Sequence, residues 1–311
     1  MTPPADNLTR RDALGVGLSG MAALMTDTTL EAADSKDFRE GFIDSHSHVW
    51  TPDVEQYPLT KGKTKADLAP QSFTAEELLA IVGKENVSRV VLIQHIGYHG
   101  FDNNYMIDMA RQHAGRFSIV AAIDENMHRP QDVIRILKKQ AVRGFRIRPE
   151  GRGDKWLDGD GMAAMWKCAA EENLAMCTLL KPAELAAVDR MCQKFPETPV
   201  VVDHFGGAQE DSEVDTLCRL AQHKRVHVKV SAFYAHGKKQ PPYEDLAPKI
   251  RRVLEAFGPK RLMWGSDCPY QLEDGNTYAA SVALLRDRLD FLTKSDRAWL
   301  LRKTAEKVFF T

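Results

Sequence analysis

The sequence predicts an α/β protein built as a single (β/α)8 TIM barrel, and three observations predict it. Short apolar runs alternate with longer amphipathic stretches about eight times from Phe38 onward, the rhythm and size of that fold. Segments that follow the apolar runs are long or rich in reactive side chains, whereas those that precede them are mostly short, as in Gly258-Pro259-Lys260-Arg261. Histidines, carboxylates and arginines gather at the C-terminal ends of the runs, where a barrel builds its active site. A doubly wound open sheet is the competing arrangement, and the lack of a Gly-x-Gly-x-x-Gly turn after the first strand counts against it.

In chain order the predicted strands are Phe42–His46, Arg89–His95, Ser118–Asp124, Gly144–Arg148, Ala175–Leu180, Val200–His204, Val226–Ser231 and Leu262–Asp267. Between them, Thr74–Val82, Asn104–His113, Gln131–Lys139, Gly161–Glu172, Ala183–Phe195, Glu213–His223, Asp245–Phe257 and Thr277–Leu292 place apolar residues at helical spacing. The loaded segments are Val49–Ser72, Ile96–Asn103, Pro149–Asp160 and Ala232–Pro242, after strands one, two, four and seven.

The first strand runs into Asp44-Ser45-His46-Ser47-His48. Residues two apart on a strand share a face, so both imidazoles converge on one point, and neutral imidazole is both a metal ligand and a proton carrier near neutral pH. Polar residues merely closing a strand are the plainer reading, but the pattern recurs: strand six ends in Asp203-His204 and strand eight in Ser266-Asp267. In strand four, Phe145 and Ile147 form one face and Arg146 and Arg148 the other. If the apolar face meets the helices, both guanidinium groups enter the barrel, where an unpaired charge is costly. A substrate carboxylate or a developing oxyanion then suits them. For one of the two, an internal ion pair with Asp44, Asp124 or Glu150 is the alternative.

With 311 residues, 43% of them hydrophobic, the chain can bury a large core. A net charge of −1 lacks the basic excess of a nucleic-acid surface, so a small molecule is the expected partner. The five cysteines, Cys168, Cys177, Cys192, Cys218 and Cys268, show no Cys-x-x-Cys spacing, which argues against a disulfide framework and a structural zinc site. No stretch reaches the roughly 18 uninterrupted apolar residues of a membrane span. At the N-terminus, Thr9-Arg10-Arg11-Asp12-Ala13-Leu14 and the Gly-rich apolar run to Met25 resemble a twin-arginine export signal. Residues 1–37 are therefore expected to form a disordered export leader to the periplasm, leaving 38–311 as one folded domain. Ala13 departs from the bulky residue such signals prefer, and the region of Glu31-Ala32-Ala33 offers no clean Ala-x-Ala cleavage site. An ordinary leader on a cytoplasmic protein is the alternative.

Six ordered motifs run from Asp44 to Pro269 and carry a resemblance that covers roughly residues 41–311: Asp44-x-His46-x-His48-x-Trp50, Val91-Leu92-Ile93-Gln94, Arg143-Gly144-Phe145-Arg146, Val202-Asp203-His204-Phe205-Gly206, Val228-Lys229-Val230-Ser231 and Trp264-Gly265-Ser266-Asp267-Cys268-Pro269. Together they resemble the amidohydrolase-related branch (amidohydrolase family 2) of the amidohydrolase superfamily. That branch includes lactonases acting on 2-pyrone-4,6-dicarboxylate, muconolactones and sugar lactones, some of them metal-independent. The resemblance implies that Asp267 holds or deprotonates water, that His46 and His48 flank the reacting centre, and that His204 polarises the substrate carbonyl. Metal-using members generally add a strand-four Lys or Glu and a strand-five His, where this chain has Arg146 and Arg148, and Cys177-Thr178. The departure implies no required cofactor, or one weakly held zinc or manganese ion on His46, His48 and Asp267.

The reaction expected is hydrolysis of a lactone or related cyclic ester of a small carboxylated or polyhydroxylated compound. Asp267 takes a proton from water, and the three histidines with Arg146 stabilise the tetrahedral oxyanion. Arg148, Gln94 and Tyr234 are expected to grip the substrate; backbone satisfaction is the alternative role for Gln94, and loop packing for Tyr234. His95, His99 and His236 are expected to be solvated loop side chains, and Lys229 an internal ion-pair partner. Trp50, Trp156, Tyr98 and Phe101 either line an apolar pocket or anchor their loops. Two rival readings remain: a single-metal decarboxylase of an aromatic or unsaturated acid, weakened by the missing strand-five histidine, and a non-catalytic exported binding protein, weakened by a carboxylate set among three histidines.

Overall fold

The computed structural model describes residues 40–311, so the expected export signal at Thr9–Leu14 and the boundary at residue 37 lie outside the described residues. Eight parallel strands follow one another around a barrel: β1 (Phe42–Ser47), β2 (Val87–Ile93), β3 (Phe117–Ala121), β4 (Val142–Ile147), β5 (Ala175–Thr178), β6 (Val200–Val202), β7 (Val226–Ser231) and β8 (Leu262–Gly265). Helices cover the outside, as the apolar spacing predicts. Val226, Val228 and Val230 of β7 pack in the layer beneath them, so the alternate residue Lys229 points into the barrel.

The ring closes between β1 and β8. Ser47 bridges Cys268, the His48 N–H donates to the Cys268 carbonyl, and the Asp267 N–H donates to the His46 carbonyl, each hydrogen bond at 2.8 Å. Asp44 stitches the same seam: its buried carboxylate accepts from the Ser266 N–H at 2.8 Å, the Ser266 hydroxyl at 2.6 Å and the Tyr278 hydroxyl at 3.0 Å. Burial pushes the Asp44 carboxyl up to about 6, and those hydrogen bonds oppose it.

Inside the barrel, Ile43, Val91, Val120, Val201 and Met263 pack with Ala305 and Phe309 of the C-terminal helix Thr304–Phe309. Ile43 belongs to this interior cluster while His46, three residues on, also reaches interior partners. A strict two-residue alternation forbids that, and a register shift between Asp44 and Ser47 in the pairing with β2 allows it.

The predicted strands overshoot at six C-terminal ends, with β3 stopping at Ala121, β4 at Ile147 and β5 at Thr178, and three of the six are functional. β2 stops at Ile93, β6 at Val202 and β8 at Gly265, because His95 caps the short helix Ile96–His99 while His204 and Asp267 take left-handed backbone angles, φ +50° and +66°. Such turns interrupt an apolar run without changing its composition. Trp50 and Trp156 are fully buried and donate their indole N–H groups to the Pro70 carbonyl at 2.7 Å and the Glu184 carbonyl at 3.4 Å, so both anchor loops. No helix among the described residues is long and apolar enough to cross a membrane.

Candidate active site

A cavity of about 450 Å³ opens at the C-terminal mouth of the barrel. His48, Arg146, His204, Tyr234, Asp267 and Tyr270 line its polar side, and Ile96, Leu179 and Leu180 its apolar side. The left-handed turn just beyond β8 carries the Asp267 carboxylate into this space. Its Oδ1 stands 3.4 Å from His46 Nε2 and 3.3 Å from His48 Nε2, and its Oδ2 stands 3.7 Å from His204 Nε2. Burial alone would raise its pKa, but the imidazoles of His204, His48 and His46 more than offset that and hold the carboxyl well below the usual carboxylate range. It is therefore an ionised acceptor near neutral pH.

Partners behind the imidazoles orient them. His48 Nδ1 lies 2.8 Å from the Ile93 carbonyl, and a carbonyl only accepts, so this nitrogen carries a proton. His204 Nδ1 lies 2.8 Å from the Ser231 hydroxyl. His46 Nδ1 lies 3.0 Å from Lys229 Nζ and 3.4 Å from Asp203 Oδ1, and Lys229 is itself 3.0 Å from Asp203. Lys229 is thus the internal ion-pair partner expected of it. Burial would raise the Asp203 pKa, yet the Lys229 ammonium beside it holds it well below normal, while burial and the same charge keep His46 neutral.

The two arginines of the fourth strand part ways. Arg146 is buried, places Nη1 3.4 Å from His48 Nε2, and has no carboxylate partner among the described residues. Arg148 sits at the rim and pairs with Glu150 at 2.8 Å, the ion-pair alternative for one of the two.

Of two further expected substrate contacts, the structure places one outside the cavity and one in its lining. Gln94 is buried outside the cavity lining, and its amide N–H groups are committed to the Gly100 carbonyl at 3.0 Å and the Asp102 carbonyl at 2.7 Å, so it pins the loop after β2. Tyr234 lines the cavity but gives its proton to Asp267 Oδ2 at 2.6 Å, so its hydroxyl serves the carboxylate. The loop histidines are also not solvated. His99 is buried with Nδ1 3.2 Å from the Pro58 carbonyl, and His236 is buried with Nδ1 3.2 Å from Gln209 Nε2. His95 is half-buried, with Nε2 2.7 Å from the Tyr270 hydroxyl. Tyr270 escaped the sequence reading altogether; its only signal is its place three residues after Asp267.

A family profile described as Amidohydrolase matches residues 43–311. The chain belongs to the amidohydrolase family. Among its relatives it is 27% identical over 237 residues to an L-fucono-1,5-lactonase of Burkholderia ambifaria, covering 73% of this chain and 80% of that one. It is also 27% identical over 240 residues to a 4-sulfomuconolactone hydrolase of Rhizobium radiobacter, covering 74% of this chain and 76% of that one. The same fold occurs in a solved amidohydrolase of Burkholderia multivorans, with a TM-score of 0.72, 19% identity, and coverage of 86% of this chain and 99% of that one.

Amidohydrolases of this superfamily include metal-using members, and the donor set here fits one divalent ion. His46, His204 and Asp267 each offer a ligand atom within 4.8 Å of the others. His46 Nε2 and Asp267 Oδ1 are buried without a hydrogen-bond partner among the described residues. His204 here takes the place expected of His48, whose Nε2 faces Arg146. Lys229 against His46 and Arg146 against His48 set two positive charges beside that position, which weakens the hold on any cation. Cys177, at the strand-five position, has its thiol pushed up to about 12 by burial and offers no ready thiolate ligand.

Proposed function

We propose that this amidohydrolase hydrolyses a lactone or related cyclic ester of a small carboxylated or polyhydroxylated compound. The observation that carries the proposal is Asp267: an ionised carboxylate ringed by three imidazoles at the floor of an open cavity, with the Arg146 guanidinium, which has no carboxylate partner among the described residues, nearby. The names of the two relatives, a sugar lactonase and a muconolactone hydrolase, support the same reaction class.

In this reading Asp267 takes a proton from a water molecule as its oxygen bonds to the lactone carbonyl carbon. His204, fixed by Ser231, and Arg146 face the oxyanion that forms, and Tyr234 holds the carboxylate in line through its hydrogen bond to Oδ2. A substrate carboxylate completes the pairing that Arg146 lacks. A divalent ion, when held by His46, His204 and Asp267, would lower the pKa of water and polarise the carbonyl.

The test is a panel of sugar 1,5-lactones, carboxymethyl butenolides, their enol-lactone isomers and dihydrocoumarin, with wild-type protein and Asp267→Asn. Turnover of at least one lactone, lost in the variant, is the expected result. A protein that binds panel members without opening any of them would support the binding-protein reading instead.

A further inference from the structure

We propose that Tyr270 is the residue that protonates the departing ring oxygen, and that His95 positions it for that task; the assignment rests on the lactonase reading above. The argument is one of hydrogen-bond direction. His95 Nδ1 lies 3.1 Å from the backbone N–H of Tyr98, and a backbone amide can only donate, so Nδ1 accepts and holds no proton. The ring proton is therefore on Nε2, which stands 2.7 Å from the Tyr270 hydroxyl and donates to it. Tyr270 has thus filled an acceptor site with His95, and its own proton finds no acceptor among the described residues.

That proton is directed to the cavity, which Tyr270 lines together with Asp267, His48 and Arg146. Tyr234, the neighbouring tyrosine, has given its proton to Asp267. Of the two cavity tyrosines, one is committed to the base and the other is left to donate. The His95 ring is clamped for this purpose: it stacks on Tyr98 with centroids 3.9 Å apart and meets Trp50 edge-on at 5.4 Å. Burial, with His48 and Arg146 nearby, pushes His95 down to about 2, so it keeps the single-proton form that the geometry requires. Burial also raises the Tyr270 pKa, with Tyr98 and Asp267 adding to it, so the proton stays on until a stronger base arrives. The alkoxide expelled from a saturated ring carbon is such a base.

The steps balance. Water oxygen bonds to the carbonyl carbon and one water proton passes to Asp267. Collapse of the tetrahedral intermediate breaks the bond between that carbon and the ring oxygen, whose electron pair takes the Tyr270 proton. The Asp267 proton then returns through cavity water to the Tyr270 phenolate, and the net change is lactone plus water to hydroxy acid.

Leaving-group dependence tests this. Within the panel, sugar lactones and carboxymethyl butenolides expel an alkoxide, whereas enol lactones and dihydrocoumarin expel a weakly basic enolate or phenolate that needs no acid. Tyr270→Phe is expected to lower kcat by about 10²–10³-fold on the first class and by under about fivefold on the second, with KM little changed. His95→Gln is expected to show the same split in weaker form, and the double variant to be no worse than Tyr270→Phe alone. Equal losses on both classes, or no loss on either, in variants that melt like the wild type would overturn the assignment and leave the lactonase reading standing. A wild-type protein inert on the whole panel would overturn both.

Discussion

The two ends of the barrel interior are built on opposite principles. At the N-terminal end, Ile43, Val91, Val120, Val201 and Met263 close around Phe309 from the last helix, an apolar plug beside which buried Arg89 is neutralised by Glu306 at 2.6 Å. At the C-terminal end, the buried set is Asp203, Asp267, Lys229, Arg146 and three histidines. Lys229 marks the boundary: its ammonium lies 5.6 Å over the Phe309 ring on one side and 3.0 Å from Asp203 on the other. Apolar burial at one end offsets the desolvation of charge at the other, and the charged end is where substrate is met. Mutations should therefore separate stability from chemistry along the barrel axis.

Asp267→Asn tests the charged end most sharply. Removing the base should lower kcat by about 10²–10⁴-fold while the melting transition stays near that of wild type. A large loss of stability instead would mean that Asp267 is chiefly a structural counter-ion for the histidines. Phe309→Ala is the opposite case, expected to cost about 3–5 kcal/mol in denaturant unfolding while KM at the distant mouth is kept. A KM that moves as far as the stability does would break the division between the two ends.

Lys229→Met lies on the boundary and should cost about 3 kcal/mol, because it strands Asp203 as an unpaired buried charge. Adding Asp203→Asn should recover part of the loss, and a second substitution that only deepens it would show that the ion pair is not what Lys229 supplies. Smaller still in binding is Arg146→Met, expected to lower kcat on every lactone through the lost oxyanion contact and, beyond that, to raise KM for a carboxylated lactone by about 10–100-fold, the worth of one charge-assisted hydrogen bond. An uncharged lactone should show no such rise.

The apolar end was legible because its information is local. Apolar runs and helical spacing placed all eight strands, with six of the C-terminal ends set one to three residues too late, two of them where left-handed turns at His204 and Asp267 end a strand early. The charged end was legible in its residues and not in its partners. His46, His48, His204, Arg146 and Asp267 all reach one neighbourhood, as the strand ends suggested. Which nitrogen meets which oxygen depends on contacts across the barrel, such as Lys229 with His46, 183 residues apart, and Tyr270 with His95, 175 apart. Spacing along one strand carries no record of these, so Gln94 was aimed at the substrate and Tyr270 was overlooked. Arg146 and Arg148 show the same limit: identical residues on one predicted face, separated by a single acidic neighbour, Glu150.

The finest distinction between the ends concerns acid. His227 shares the interior-facing alternation of β7 with Lys229 but sits below it, where Val201 is its cross-strand neighbour. Burial pushes its pKa down to about 4, with the bond to the Arg225 carbonyl opposing the shift only in part. In the unfolded chain the group titrates near 6.5. Between those values the unfolded state binds more protons, so stability is full above about pH 6.5 and is lost as pH falls toward 4. The shift sets a ceiling of about 3 kcal/mol, which partial solvent contact at half-buried His227 lowers to about 1–2 kcal/mol. His227→Gln should therefore flatten the acid limb of a stability profile by about that amount and leave kcat at pH 7.5 unchanged. An unaltered acid limb would place the whole acid response on the histidines of the charged end, and the two ends would then differ in proton linkage as fully as they do in chemistry.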